Sequence, residues 1–265
     1  MTGESEPGRT GVQAADTVLA VLETVAYAEE PIGVTQVAGA VGIAKSAAFR
    51  HLRTLLDRGY LVQDPTSSRF RLGPKVFLLG RLAPSGHDLA TTIQPAMREA
   101  RDASGLSVVV STPSPQGAFV LATVSGTQTV DIGVRVGSSL SLHASAQGKV
   151  FLALGPRSLL DRVLGAPRPS FTPHTITGAA ELTAEIDRVR TRGYADAPEE
   201  VLLGINALAA PVYDGQGTLI ASVALVGSIQ HIAPEPSEKL VRIVLDLAHR
   251  ASRLVAGSNG RRPGI

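Results

Sequence analysis

Apolar positions give the first third of the chain a helical texture that switches to a short-strand texture. Over residues 12–28, Ala15, Val18, Leu19, Leu22, Val25 and Ala26 recur every three or four positions, which predicts a helix. Pro31, Ile32 and Gly33 break it. Thr35 is then placed to cap a short helix carrying Val37, Ala38 and Val41, and Gly42 supplies a turn. A third helix is expected over 44–58, with Ala48, Leu52, Leu55 and Leu56 on its inner face and Gly59 closing it. Two alternating runs follow, 60–63 and 69–72, joined by Asp64-Pro65-Thr66-Ser67-Ser68, the pattern of a hairpin. Residues 74–82 predict a helical connector, and Pro84-Ser85-Gly86 a domain boundary.

Beyond that boundary the texture is mixed. Helical spacing is read at 88–103, 146–154, 159–164, 179–192 and 237–255. Strand-like runs are read at 107–111, 118–124, 129–136, 208–213 and 219–225, the last two flanking the turn Asp214-Gly215-Gln216-Gly217. The fold class expected is α+β: a winged helix-turn-helix, then one antiparallel sheet with helices on its faces. The expected organisation is a disordered tail at 1–10, a DNA-binding domain at 11–73, a linker helix at 74–87, a second domain at 88–257 and a tail at 258–265.

Composition narrows the chemistry. A length of 265 residues suits two domains. Cysteine is absent, so disulfides, thiol catalysis and Cys-based zinc sites are excluded. The polar, Gly-rich beginning lacks the apolar core of a signal peptide, and no run approaches a bilayer span, so a cytoplasmic protein without membrane partners is expected. Net charge is only +2, yet residues 44–81 carry eight Lys and Arg against two acids, a local +6. A focused basic patch on a nearly neutral chain is what a nucleic-acid reader needs.

That patch sits on the third helix and the hairpin. The helix's outward face offers Lys45, Ser46, Ala47, Phe49, Arg50 and Arg53, and its start at Ala44 presents backbone amides suited to a phosphate. Thr35 and Gln36 open the preceding helix; Arg69 and Arg71 alternate with Phe70 and Leu72 and so leave the wing on one face. Each basic residue could instead be a solvated surface charge, Thr35 or Ser46 a plain cap, and Phe49 either packing or a thymine-methyl contact.

Several motifs together resemble the IclR family of transcriptional regulators. They run from Ile43-Ala44-Lys45-Ser46-Ala47-Ala48-Phe49-Arg50-His51-Leu52 through Gly59-Tyr60 and Phe70-Arg71-Leu72-Gly73 to Leu142-His143-Ala144-Ser145, Gly148-Lys149, Arg192-Gly193-Tyr194, Glu199-Glu200 and Ala209-Ala210-Pro211-Val212. The resemblance spans residues 12–256. It implies a homodimer or dimer of dimers on double-stranded DNA with two-fold symmetry, and a GAF-like domain for a small-molecule effector. That effector is often an organic acid or aromatic catabolite, and family members repress or activate.

The same resemblance places an effector pocket. Ala146 and Gln147 fall where family ligands meet the backbone, and Ile132, Leu140 and Ile205 where apolar side chains line the pocket. Four positions that carry polar ligand contacts in the family are here Ala197, Ala207, Ala224 and Val226. An anion buried among them would lack most of its hydrogen bonds, at a cost of several kcal/mol. An apolar or neutral effector is therefore expected, or else a closed, ligand-free core. No catalytic residue, metal or cofactor is expected: His143 lies near Ser141 and Ser145, but no acid is placed to complete a triad, and the six histidines have no metal spacing. The alternatives are an enzyme with an appended DNA module and a ligand-free oligomerising protein.

Overall fold

A computed structural model describes residues 12–82, 86–114, 117–129 and 132–258. The tail expected at 1–10 and residues 259–265 of the one expected at 258–265 lie outside them, while Ser258 instead ends a helix. The chain divides into two compact units, Met1–Pro84 and Ser85–Ile265.

In the first unit α1 (Gln13–Ala26), α2 (Val34–Val41) and α3 (Lys45–Asp57) surround one small core. Val21 and Val25 of α1, Val37 and Ala38 of α2, and Ala48, Leu52 and Leu55 of α3 meet there, with Leu61 and Phe70 from the hairpin closing it. The helical period puts these residues on inner faces and leaves the charges outside. Gly42 ends α2 at φ +72°, a left-handed conformation in which glycine pays no Cβ penalty. The wing pairs β1 (Leu61–Gln63) with β2 (Phe70–Leu72), Leu61 opposite Leu72. Its turn is held by Asp64, whose Oδ1 accepts the backbone N–H groups of Thr66 at 2.8 Å and Ser67 at 2.7 Å. α4 (Pro74–Leu82) follows.

Three local expectations are corrected here. Gly33, not Thr35, is the N-cap of α2, and Thr35 is its second residue; the Gln36 side chain reaches back to accept the Gly33 N–H at 3.1 Å. Ser46 likewise sits inside α3, whose N-cap is Ala44 with no side-chain cap. Leu72 is 39% exposed and stands outside the core, so of the wing's apolar pair only Phe70 is core.

The second unit is one six-stranded antiparallel sheet in the order β5-β4-β3-β8-β7-β6. These strands are β3 (Ser107–Ser114), β4 (Gly117–Val124), β5 (Ser139–Leu140), β6 (Ala195–Asp196), β7 (Ile205–Tyr213) and β8 (Leu219–Ser228). Strand alternation makes two cores. Val108, Val110, Leu208, Ala210, Val223 and Leu225 face α5 (Gly86–Ser104) and α9 (Glu238–Ser258). Val109, Ala209, Ala224 and Val226 face α6 (Ala146–Leu154) and α8 (Ala179–Arg192), with α7 (Arg157–Leu164) beside them.

The strand expected at 129–136 is absent from its described residues, 129 and 132–136. Its described part is irregular, and only Ser139–Leu140 pairs, with Ala118 and Phe119 of β4. Alternation alone cannot make a strand where Gly133 and Gly137 interrupt it. Ile132, Val134 and Leu140 instead pack against the α6–α8 core. β6 was not anticipated: a two-residue strand carries too little pattern to register.

Candidate functional site

Two surfaces collect the residues singled out by sequence. On the first unit, α3 buries Ala48, Leu52 and Leu55 and so must present Lys45, Ser46, Phe49, Arg50 and Arg53 to solvent. Ala47 is half-buried, Ala44 is exposed, and Phe49 keeps 52% of its surface exposed, so the packing role is not the one it plays. Thr35 and Gln36 are exposed at the start of α2; capping uses the Gln36 Oε1 and leaves its amide nitrogen outward. Of the two wing arginines, Arg71 is exposed, while Arg69 donates through Nη1 to the Pro31 carbonyl at 3.0 Å and ties the wing to the loop before α2. Arg53 pairs with Asp57 at 3.2 Å, an exposed pair of small energetic weight that a phosphate could displace. The Asp64 carboxyl is held below its ordinary range by the N–H groups of Ser67 and Thr66.

In the second unit a cavity of about 170 Å³ opens between the sheet and the start of α6. Eight of the nine expected effector residues line it: Ile132, Leu140, Ala146, Gln147, Ala197, Ile205, Ala207 and Val226. The ninth, Ala224, does not. It is fully buried two residues deeper along β8, paired with Val109 and Ala209, and belongs to the core. Sequence missed six contributors: Gly133, Val134, Ser145, Asn206, and Val201 and Leu202 in the 197–204 loop. No periodicity marks a loop, so only the folded chain reveals Val201 and Leu202.

Polar groups at the cavity are largely committed to the fold. Ser145 caps α6, accepting the Gly148 N–H at 3.0 Å while donating to the Ser141 carbonyl at 2.6 Å. Asn206 donates to the carbonyls of Ile232 and Ala233 at 3.1 Å each and accepts from the backbone of Ala197 and Ala207. Gln147 donates to Ser111 Oγ at 2.8 Å. The cavity therefore offers an apolar ligand a preformed wall and an anion little beyond the first amides of α6.

Beneath it lies a buried ion pair that sequence reasoning also missed. Lys149, 1% exposed, donates through Nζ to Glu200 Oε1 and to the Asp196 carbonyl at 3.0 Å. Burial pushes the Glu200 carboxyl up, against the pull of Lys149, and its Oε2 has no hydrogen-bond partner among the described residues. The pair joins two walls of the cavity: α6, through Ala146 and Gln147, and the loop that carries Val201 and Leu202.

His143 is an architectural residue. Its Nε2 lies 3.0 Å from the Pro169 carbonyl, which can only accept, so Nδ1 is the acceptor for the Ser141 hydroxyl at 3.0 Å. Desolvation holds its pKa below the ordinary value, helped by Arg168 and Lys149 and opposed by Pro169. A carbonyl stands where a triad would need a carboxylate. Among the described residues no group of three His, Asp or Glu is placed to hold a metal, and no helix is long and apolar enough to cross a membrane.

Residues 82–253 match the C-terminal domain model of the bacterial transcriptional regulator IclR, and residues 14–65 match the IclR helix-turn-helix model. The chain belongs to the IclR family. It is 30% identical over 244 residues to the glycerol operon regulatory protein of Streptomyces griseus, covering 91% of this chain and 96% of that one. It is 26% identical over 248 residues to the HTH-type transcriptional repressor AllR of Salmonella typhi, covering 93% and 91%. Among solved structures, a transcriptional regulator from Rhodococcus sp. RHA1 superposes with a TM-score of 0.74 at 26% identity, covering 94% of this chain and all of that one. An IclR homologue from Microbacterium hydrocarbonoxydans, crystallised with 4-hydroxybenzoate, shares the fold at TM-score 0.78 and 21% identity, over 92% of this chain and 100% of that one. The curated relatives are named as regulators and repressors, not enzymes.

Proposed function

We propose that this IclR-family regulator reads an operator through α3 and the wing, and that a small, largely apolar effector filling the α6 cavity changes its operator affinity. The DNA contacts assigned are Lys45, Ser46, Ala47, Phe49, Arg50 and Arg53 on α3, Ala44 at its start, Thr35 and Gln36 on α2, and Arg69 and Arg71 on the wing. Lys45 and Arg50 stand out: both are exposed on the one helix face that core packing leaves free. That exposed basic face carries the reading.

The effector assignment rests on volume and lining. An apolar cavity of about 150 Å³ takes one benzene-sized molecule, and the space here is about 170 Å³. Its presence favours a sensor over a closed core. Residues 11–73 are assigned to DNA binding, 74–87 to the linker and 88–257 to sensing, in a cytoplasmic homodimer or dimer of dimers on a two-fold symmetric site. Supporting self-association, α4 leaves Phe77, Leu78, Leu79 and Leu82 exposed, more apolar surface than a lone helix keeps in water.

Selection from a random duplex pool tests the first half. Bound sequences are expected to converge on an inverted repeat. The double variant Lys45→Ala/Arg50→Ala is expected to lose binding while keeping its thermal midpoint; unchanged affinity in that variant rejects the assignment. For the second half, calorimetry with glyoxylate and pyruvate is expected to show no tight binding, because the cavity lacks polar partners for a bare carboxylate. Tight binding of either would reject the apolar reading.

A further inference from the structure

The cavity does not end at its apolar lining. A second cleft of about 340 Å³, with more polar side chains in its lining, adjoins it, and Ile132 and Val226 are walls of both. The register explains why. Side chains two residues apart on a strand share a face, so Val226 and Ser228 of β8 point the same way. Val226 pairs with Ser107 of β3 on one side and Ala207 of β7 on the other, and Ser228 pairs with Ile205. The floor of the cavity thus continues past Val226 into a floor made by Ser107 and Ser228. Ser228 also fixes a histidine: its hydroxyl lies 2.8 Å from His231 Nδ1, which directs Nε2 of that ring away from the serine. Gln128 and Gln230 add carboxamides to the rim, and no Asp or Glu is among the described residues lining the cleft.

Resting on the apolar-cavity reading above, we infer that the effector is amphipathic: a ring-sized apolar body in the α6 cavity and an oxygen-bearing head, a hydroxyl or carboxylate, seated at Ser228 and His231. Ala197, Ala207 and Val226 give the cavity wall no polar side chain, and the polar groups stand one step further along the same sheet face. The ligand reaches them by passing between Ile132 and Val226, so head and body are separated by a short spacer. A carboxylate without an apolar body has nothing to fill the cavity. A cationic head meets no counter-charge in the cleft.

Calorimetry on the full chain with four probes tests this: ethylbenzene, 3-phenylpropanol, 3-phenylpropionate and 3-phenylpropylamine. Ethylbenzene is expected to bind. The alcohol and the carboxylate are expected to bind about tenfold more tightly, the effect of one or two hydrogen bonds, and the amine no more tightly than ethylbenzene. Ser228→Ala/His231→Ala should erase the gain and leave ethylbenzene binding and the thermal midpoint unchanged, since both residues sit at the surface end of the sheet. If ethylbenzene binds but neither oxygenated head improves on it, or the gain survives the double variant, the head site is overturned and the cavity stands. If none of the four binds, the cavity reading itself falls, and the head site with it.

Discussion

Lys149 and Glu200 show what a single buried pair can decide. Neither charge can be taken from water alone without a cost of several kcal/mol, and each belongs to an element that walls the cavity, Lys149 to α6 and Glu200 to the 197–204 loop. Lys149→Met should destabilise the second unit by about 3–5 kcal/mol, the typical cost of stranding one partner of a buried pair. Glu200→Gln added to it should recover much of that loss. Burial raises the Glu200 pKa, so the folded state binds its proton more tightly than the unfolded one. Its favourable contribution is present below the ordinary carboxyl value of 4.5 and disappears as pH rises through the folded value. The Lys149→Met defect should therefore be smaller in acid, as denaturant melts across pH would show. Asp64 behaves oppositely. Its pKa is lowered by the Ser67 and Thr66 amides, so its contribution to the wing is present above 3.8 and is lost as pH falls through the folded value. Amide exchange at Thr66 and Ser67 should accelerate in Asp64→Ala at neutral pH and match the parent at the acid end.

The elements explain a motif that sequence could only match. Gly148-Lys149 is a packing device as well as an ion-pair site. A Cβ on Gly148 would lie 2.4 Å from the Ser141 carbonyl oxygen and 2.5 Å from Leu142 Cα, both backbone. α6 can approach the 141–145 turn only without a side chain there. Gly148→Ala should push α6 outward, costing about 1–3 kcal/mol as overpacking does, and should weaken effector binding because Ala146 and Gln147 move with the helix. On α3 and the wing, the expected effects are graded. Removing one side chain that neutralises a phosphate flattens the salt dependence of binding by roughly one unit of slope. Arg71→Ala is expected to show only that, with the preferred sequence unchanged, because a wing residue on the DNA backbone carries no base information. Filter binding at several salt concentrations, repeated on a scrambled site, would separate the two effects.

At the scale of the whole molecule, sensing requires that an effector bind the native second unit. Any such ligand raises its melting temperature in proportion to the logarithm of its concentration above Kd. A thermal-shift series with 3-phenylpropanol should show that rise. A flat midpoint at saturating probe would count against ligand control of this chain.

The helical unit was legible in the sequence because its signals are local. The spacing of Val37, Ala38, Ala48, Leu52 and Leu55 marks the buried faces, and with them the face that Lys45, Phe49 and Arg50 must expose; on α1 it caught Val25 but passed over Val21, which is core, and took in Leu19 and Ala26, which are exposed. The strand texture of 107–111, 118–124, 208–213 and 219–225 likewise announced an antiparallel sheet, since alternation has one period and one meaning. What sequence could not decide was non-local. It could not order the strands so that β8 lies between β3 and β7, which brings Val226 beside both Ser107 and Ala207. Nor could it deny residues 132–136 a strand, drop Ala224 beneath the cavity floor, or draw Lys149 to Glu200 across 51 positions. Those outcomes depend on which surfaces the assembled sheet leaves to be filled. Burial of apolar area has no direction along the chain, so the pattern fixes what must be buried, while the tertiary fold fixes against what.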